Sequence, residues 1–311
     1  MPFTTLRSYA ELMRVANVFT SVSNVWMGMI LTTGYLPGWS AVGISLASAL
    51  MYLAGMVLND VFDHQIDAVE RPGRPIPSGR VSLTSAKILG WGLLVAGLIA
   101  AGLVTFYVQS YLPIAMAICL SLAIIGYDAG LKQTWLGPFA MGMCRVFNVL
   151  LGMSLVGLPT EWRLPEIASL NLLPAFAIGL YIIGVTWFAR DEAGEGKRRT
   201  LVMGSLTVLA AMVLLATMPW SDAPAVHGFR IDSTGWFILW FVVAGTILRR
   251  MVVAILQPTP RNMQRAVGNA ILSLITIDAA ISLGYADPYW ACAVLALVAP
   301  AMQLSQMFKM T

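Results

Sequence analysis

Residues 59 to 82 read Asn59-Asp60-Val61-Phe62-Asp63-His64-Gln65-Ile66-Asp67-Ala68-Val69-Glu70-Arg71-Pro72-Gly73-Arg74-Pro75-Ile76-Pro77-Ser78-Gly79-Arg80-Val81-Ser82, a polar block between two long apolar runs. Asn59, Asp63 and Asp67 recur every four residues, so a helix continuing out of the preceding apolar run lines them on one face, with Asp60 beside them. Stacked carboxylates repel one another unless a cation sits between them. Oxygen ligands suit a hard ion, and Mg²⁺, which keeps waters and bridges one or two carboxylates to substrate phosphates, is the cofactor this pattern predicts. A solvated loop has no need of acids in register beside Arg71, Arg74 and Arg80. His64 falls outside the four-residue register, and hard-oxygen chemistry does not require its imidazole.

Two other polar stretches carry groups of the same kind. Asp191 and Glu195 are again four apart, with Lys197 after them, and Tyr127-Asp128-Ala129-Gly130-Leu131-Lys132 lies between the two acidic blocks. Lys132 reads equally as a topology signal and as an anion contact. Arg145 and Asn148 stand inside an apolar run, where an arginine costs about 2.5–3.5 kcal/mol to insert, so Arg145 either faces a polar cavity or snorkels to the interface. Asp278, also within an apolar run, is expected to hydrogen-bond a neighbouring helix, and Asn269 either does the same or lines the cavity. Two acid pairs ringed by Arg71, Arg74, Lys132 and Lys197 form a clamp for a magnesium diphosphate. On this view Asp63, Asp67, Asp191 and Lys132 act on the leaving diphosphate. The metal falls to Asn59, Asp60, Asp63, Asp67, Asp191 and Glu195, and Arg71, Arg74, Lys197, Arg145 and Asn148 contact the substrate. Metal and cations neutralise oxygens as diphosphate departs, which such a cleavage needs. A diphosphate site beside lipid points to an isoprenyl donor and a lipophilic acceptor.

The elements that must position these residues are membrane helices. Of 311 residues, 58% are hydrophobic and 11% charged, and apolar runs near twenty residues recur throughout, which excludes a soluble fold and predicts an all-α polytopic bundle. The spans fall at roughly 16–35, 41–58, 85–107, 111–127, 136–158, 171–189, 201–219, 234–256, 266–284 and 289–307, giving ten helices with nine as the alternative. With the N-terminus cytoplasmic, 17 of the 19 basic residues lie inside, leaving Arg163 and Arg230 outside. The basic pI of about 9.1 is therefore a topology signal, and no nucleic-acid partner is implied. Arg7 and Arg14 precede the first apolar run without a small-residue cleavage site, so that run is expected to be a retained helix. Cys119, Cys144 and Cys292 match neither a disulfide framework nor a zinc site. Loops 59–84, 128–135 and 190–200 all emerge on one face. The chain reads as a single integral membrane domain of two four-helix units, about 1–135 and 136–265, followed by helices within 266–307.

The run Asn59-Asp60-x-x-Asp63-x-x-x-Asp67, followed by Arg71-Pro72-Gly73-Arg74-Pro75-Ile76-Pro77-Ser78-Gly79-Arg80, resembles the first motif of the UbiA superfamily of intramembrane prenyltransferases. Asp191-x-x-x-Glu195 is similar to its second motif, and Tyr127 and Lys132 match the tyrosine and lysine of its helix 4–5 loop. The likeness covers roughly residues 10–284. It implies a nine-helix bundle with a central cavity opening laterally to lipid, Mg²⁺ and a prenyl diphosphate at the first motif, Tyr127 among the substrate-binding residues, and an aromatic or other acceptor deeper in. The membrane implied is the inner, or plasma, membrane, with the active site facing the cytoplasm. Two departures are Glu195 in place of the usual aspartate, followed by Gly196-Lys197, and a tenth helix after residue 288. The stretch from Tyr127 to Asn148 looks like the EboC-type subgroup, whose substrate the resemblance does not settle. A non-catalytic isoprenoid-diphosphate carrier or assembly protein of the same fold is the alternative, which the altered second motif keeps open. A transporter would carry its polar residues near the bilayer midplane, and an alcohol phosphotransferase of the CDP type needs a tighter aspartate pattern that is absent.

Overall fold

The computed structural model describes residues 2–155, 172–190, 198–220 and 229–308. Among them the regular elements are all helical: α1 (Pro2–Leu12), α2 (Val18–Thr33), α3 (Gly38–Phe62), α4 (His64–Glu70), α5 (Leu83–Val108), α6 (Leu112–Ala129), α7 (Gly137–Met153), α8 (Leu173–Ala189), α9 (Arg198–Ala216), α10 (Ser233–Leu256), α11 (Pro260–Tyr285), α12 (Pro288–Ala296) and α13 (Val298–Phe308). A chain in hydrocarbon must pair its own backbone groups, and the long apolar runs do so as helices. Among the described residues, eight segments are long and apolar enough to span a bilayer, with α12 and α13 counted together, while α7 and α8 are shorter apolar helices. Each of the ten expected spans therefore falls on a helix. The tenth is broken at Leu297, because Pro300 has no N–H to continue the ladder back to Ala296.

Helix ends follow local chemistry. Ser82 Oγ accepts from Ser85 N, Asp232 from Gly235 N and Thr259 from Asn262 N, so side chains satisfy first-turn donors of α5, α10 and α11. Large apolar side chains point away from the protein: Phe106 on α5 is 80% exposed and Phe241 on α10 82%, surfaces that only lipid satisfies.

The expected continuous helix through 59–67 is instead two helices joined at Asp63, which has φ −88° and ψ 3°. The register survives the break. Asp63 N donates to Asn59 O at 3.0 Å, Asp67 N to Asp63 O at 2.8 Å and Arg71 N to Asp67 O at 2.9 Å.

Helices α2 and α7 share the centre of the bundle and contribute to both large apolar cores, one built with α8 to α11 and the other with α3, α5 and α6. Gly28 and Gly152 let their backbones touch: a Cβ on Gly152 would lie 2.3 Å from Val25 O, and one on Gly28 2.6 Å from Val149 O. That close approach sets Arg145 and Asn148 of α7 against the polar residues of α2.

Candidate active site

At one end of the bundle the acids of the first motif are matched with cations from three other segments. Asp60, nearly buried at the end of α3, receives Arg14 and Arg74, each at 3.2 Å. Arg74 also reaches Asp67 Oδ2 at 2.5 Å, so one guanidinium ties the two aspartates together. Lys132 Nζ sits 2.8 Å from Asp63 Oδ2 and 3.4 Å from Asn59 O. Asn59 Nδ2 donates to Asp128 Oδ1 at 2.9 Å, and Asp128 lies 4.0 Å from Lys132, one helical turn on. Four carboxylates thus face three cations among the described residues, leaving one negative charge in excess.

A cavity of about 320 Å³ runs inward from this cluster. Arg14 and Asp128 belong to both, together with Tyr127 at the mouth. Its walls are apolar, with Leu120, Ile124, Ile182, Val185, Val267 and Ile271 among them, and its far wall turns polar at Ser21, Ser48, Tyr52, Arg145 and Asn148. Arg145 faces the cavity and does not snorkel: Nη1 donates to Thr20 O at 3.2 Å and Asn24 Oδ1 at 3.0 Å, and Nη2 to Thr20 Oγ1 at 3.0 Å. Its guanidinium stands 5.8 Å from the centre of the Tyr52 ring. Asn148 Nδ2 donates to Ser21 O at 2.9 Å and Oδ1 accepts from Ser48 at 2.7 Å.

The structure gathers Asn59, Asp60, Asp63, Asp67, Arg74, Tyr127 and Lys132 around the mouth, and Arg145 and Asn148 at the far wall. It does not bring Arg71 or Arg80 into the cluster. Arg71 is exposed, and Arg80 turns away to a two-pronged pair with Glu11, at 2.7 and 3.2 Å, and to Gly73 O. Donating to the Glu11 carboxylate raises the Arg80 pKa above its ordinary value, and the pair straps α1 to the loop that carries Arg74. His64 Nδ1 contacts Val61 O at 2.8 Å and joins no acid among the described residues. Asp278 bonds a neighbouring helix, as expected, through Ser23 and Asn24. Asn269 Nδ2 is buried without a hydrogen-bond partner among the described residues. Asp191, Glu195 and Lys197 lie outside the described residues. Arg190 precedes them and donates from Nη2 to Thr134 O, so the end of α8 meets the loop that carries Lys132.

Two members of the cluster, Arg14 and Asp128, are given no role by the four-residue spacing of the acid motifs. Arg14 adopts a left-handed backbone, φ 47° and ψ 49°, a conformation that costs a non-glycine residue about 1–3 kcal/mol and is sustained where the surroundings over-determine it. Its signal in the sequence is only a cation before a span. Asp128 did carry a signal, the i,i+4 spacing to Lys132.

Among the described residues no three His, Cys, Asp or Glu side chains converge into a ready-made metal cage. The hard-oxygen donors of the first motif nevertheless fit Mg²⁺, which takes one or two carboxylates and fills its remaining positions with water and substrate phosphate.

The geometry has counterparts among known proteins. The model of the UbiA prenyltransferase family matches residues 21–275. The digeranylgeranylglyceryl phosphate synthase of Ignicoccus hospitalis is 30% identical over 257 residues, 80% of this chain and 81% of that one. The apo structure of a UbiA homologue from Aeropyrum pernix K1 superposes with a TM-score of 0.65 at 16% identity, covering 86% of this chain and 97% of that one. A UbiA homologue from Archaeoglobus fulgidus, solved bound to GPP and Mg²⁺, gives a TM-score of 0.58 at 14% identity, covering 93% and 99%. With the family match spanning most of the helical bundle and the first acid motif placed at the mouth of its central cavity, the chain belongs to the UbiA prenyltransferase family.

Proposed function

We propose that the protein transfers an isoprenyl group from a prenyl diphosphate to a lipophilic acceptor within the membrane, with Mg²⁺ at the first acid motif. The observation that carries this reading is the sharing of Arg14 and Asp128 between the charged cluster and the apolar cavity. A diphosphate held at the cluster has its hydrocarbon tail directed among apolar side chains. The Archaeoglobus fulgidus homologue bound to GPP and Mg²⁺ supports the same assignment.

Asp63 and Asp67, with Asn59 and Asp60 beside them, would hold the ion, and Asp191 and Glu195 complete the proposed metal set. Bound there, Mg²⁺ supplies positive charge that neutralises the phosphate oxygens and converts the cluster's excess negative charge into an excess positive one. Arg74 and Lys132, now paired with Asp67 and Asp63, are the cations placed to turn to the diphosphate oxygens as charge develops, and Arg71 and Lys197 are assigned to its outer side. Tyr127 lines the cavity directly beneath, where the face of its ring suits a cationic allylic carbon. The apolar walls keep water from that carbon. The acceptor takes the inner part of the cavity with its oxygen-bearing end at the polar wall, in keeping with relatives named for digeranylgeranylglyceryl phosphate. The charged end is assigned to the cytoplasmic face of the plasma membrane, on the side of most basic residues.

The test uses full-length protein in nanodiscs of bacterial lipid extract, supplied with geranyl diphosphate. Mg²⁺-dependent diphosphate release, with a matching prenylated lipid found by mass spectrometry, is the expected result. Tight binding of geranyl diphosphate without release at any Mg²⁺ concentration would replace the enzyme reading with that of a carrier.

A further inference from the structure

Asp278, in the C-terminal half of α11, is fully buried, and among the described residues its carboxylate meets no cation directly. Oδ2 accepts from Ser23 Oγ at 2.5 Å, and Asn24 Nδ2 donates to both oxygens, at 3.0 and 2.8 Å. The other end of the same amide, Asn24 Oδ1, accepts from Arg145 Nη1 at 3.0 Å. A charged side chain inside an apolar bundle is costly to insert, so Asp278 and Arg145 are each other's counter-charge at one amide's remove. The amide between them has a single satisfactory orientation: its NH₂ group must face the carboxylate and its oxygen the guanidinium. Helix adhesion alone needs only a neutral polar residue at 278. An aspartate adds a fixed polarity, and that polarity ends at Arg145.

The guanidinium has five N–H groups, and Thr20 and Asn24 take three. The Nε–H and one Nη2–H meet no partner among the described residues, on a side chain that lines the cavity beside Ser48, Tyr52 and Asn148. These two donors share one edge of the planar group, the edge that grips a pair of anionic oxygens. We propose that Asp278 is a positioning residue which, through the Asn24 amide, turns this edge of Arg145 into the cavity, and that the edge takes an anionic oxygen group on the acceptor. The proposal rests on the prenyl-transfer reading for the word acceptor, but binding tests it without turnover, so the two fail separately.

The probes are dodecyl phosphate and dodecanol, titrated into full-length protein in phosphatidylcholine nanodiscs without prenyl donor and corrected for uptake by empty discs. Wild-type protein should bind dodecyl phosphate at least tenfold more tightly than dodecanol, and Arg145→Gln should erase the preference. Asp278→Asn should also reduce it fivefold or more. The sign of that effect is diagnostic, because simple charge counting has the loss of a nearby carboxylate tighten an anion. Asn24→Ala, which cuts the link and leaves both charges in place, should reduce the preference equally. Should Asp278→Asn fold poorly with a buried uncompensated arginine, the double variant Asp278→Asn/Arg145→Gln removes both charges and should recover the thermal midpoint without recovering the preference. Tighter dodecyl phosphate binding in Asp278→Asn, or an unchanged preference in Asn24→Ala, overturns the positioning role. Equal binding of the two probes by wild type overturns the anionic ligand, and a double variant no more stable than Asp278→Asn overturns the charge pairing.

Discussion

Lys132 Nζ and Asp63 Oδ2 stand 2.8 Å apart, joining the turn after α6 to the hinge between α3 and α4. The lysine side chain is only 10% exposed, so this is not a solvated surface pair. It neutralises the one first-motif acid that neither arginine reaches, and it leaves an ammonium beside the proposed diphosphate position. Removing it should act on leaving-group chemistry more than on folding. Lys132→Met is expected to slow Mg²⁺-dependent diphosphate release by about 10²–10³-fold, the range seen when one fixed donor is lost from a site where charge develops. Lys132→Arg should retain much more. Equal rates in Lys132→Met and wild type would detach the residue from the mechanism.

Asp60 and Asp63 should separate stability from activity. Asp60 is nearly buried and holds two arginines, so Asp60→Ala leaves Arg14 and Arg74 with less compensation and should lower the thermal midpoint clearly. Asp63 has 20% of its side chain exposed and, among the described residues, one charged partner. Asp63→Ala, like Asp67→Ala, should remove Mg²⁺-dependent turnover with insertion near normal and a smaller thermal shift than Asp60→Ala. A larger thermal loss in Asp63→Ala would reverse the ranking drawn from burial and pairing.

The contact of α2 with α7 makes a prediction about glycine. Gly152→Ala places a methyl 2.3 Å from a backbone oxygen, which cannot rotate aside as a side chain can. The cost should exceed the roughly 1–3 kcal/mol usual for overpacking, seen as low yield of folded protein and lost activity. Gly92→Ala on α5, where a Cβ meets nothing within 4 Å, is the control and should leave the thermal midpoint unchanged or raised.

Much of this was legible in the chain and some was not, for physical reasons. Spans were readable because a lipid-facing helix announces itself by apolar length, and the first acid motif because its four-residue spacing is local. Even there the hinge at Asp63 was hidden, since the spacing is the same on either side of a joint that keeps its hydrogen bonds. Arg14 could not be assigned, because its partner Asp60 is 46 residues away and its strained backbone leaves no mark on composition. Asp278 bonds a neighbouring helix, as an acid inside an apolar run predicts. The link through Asn24 to Arg145 spans 254 and then 121 residues, and no periodicity encodes a contact of that length.

Orientation is the last prediction, and the proposed site stands or falls with it. The acids of α3 and α4, Lys132 and the end of α8 form one clamp only at one membrane face, and the positive-inside bias of the basic residues predicts that this face is cytoplasmic. In a background lacking Cys119, Cys144 and Cys292, single cysteines at Ser82, Gln133 and Gln257, all exposed, should resist an impermeant thiol reagent added outside intact cells. Cysteines at Ser233 and Tyr289, exposed at the opposite ends of their helices, should react. A cysteine at Thr311 tests the final pair of helices: protection means that α12 and α13 together cross the membrane despite the break at Leu297, and labelling means that they turn back. Labelling at Gln133 together with protection at Ser82 would place Lys132 and Asp63 on opposite sides of the bilayer and end the diphosphate clamp.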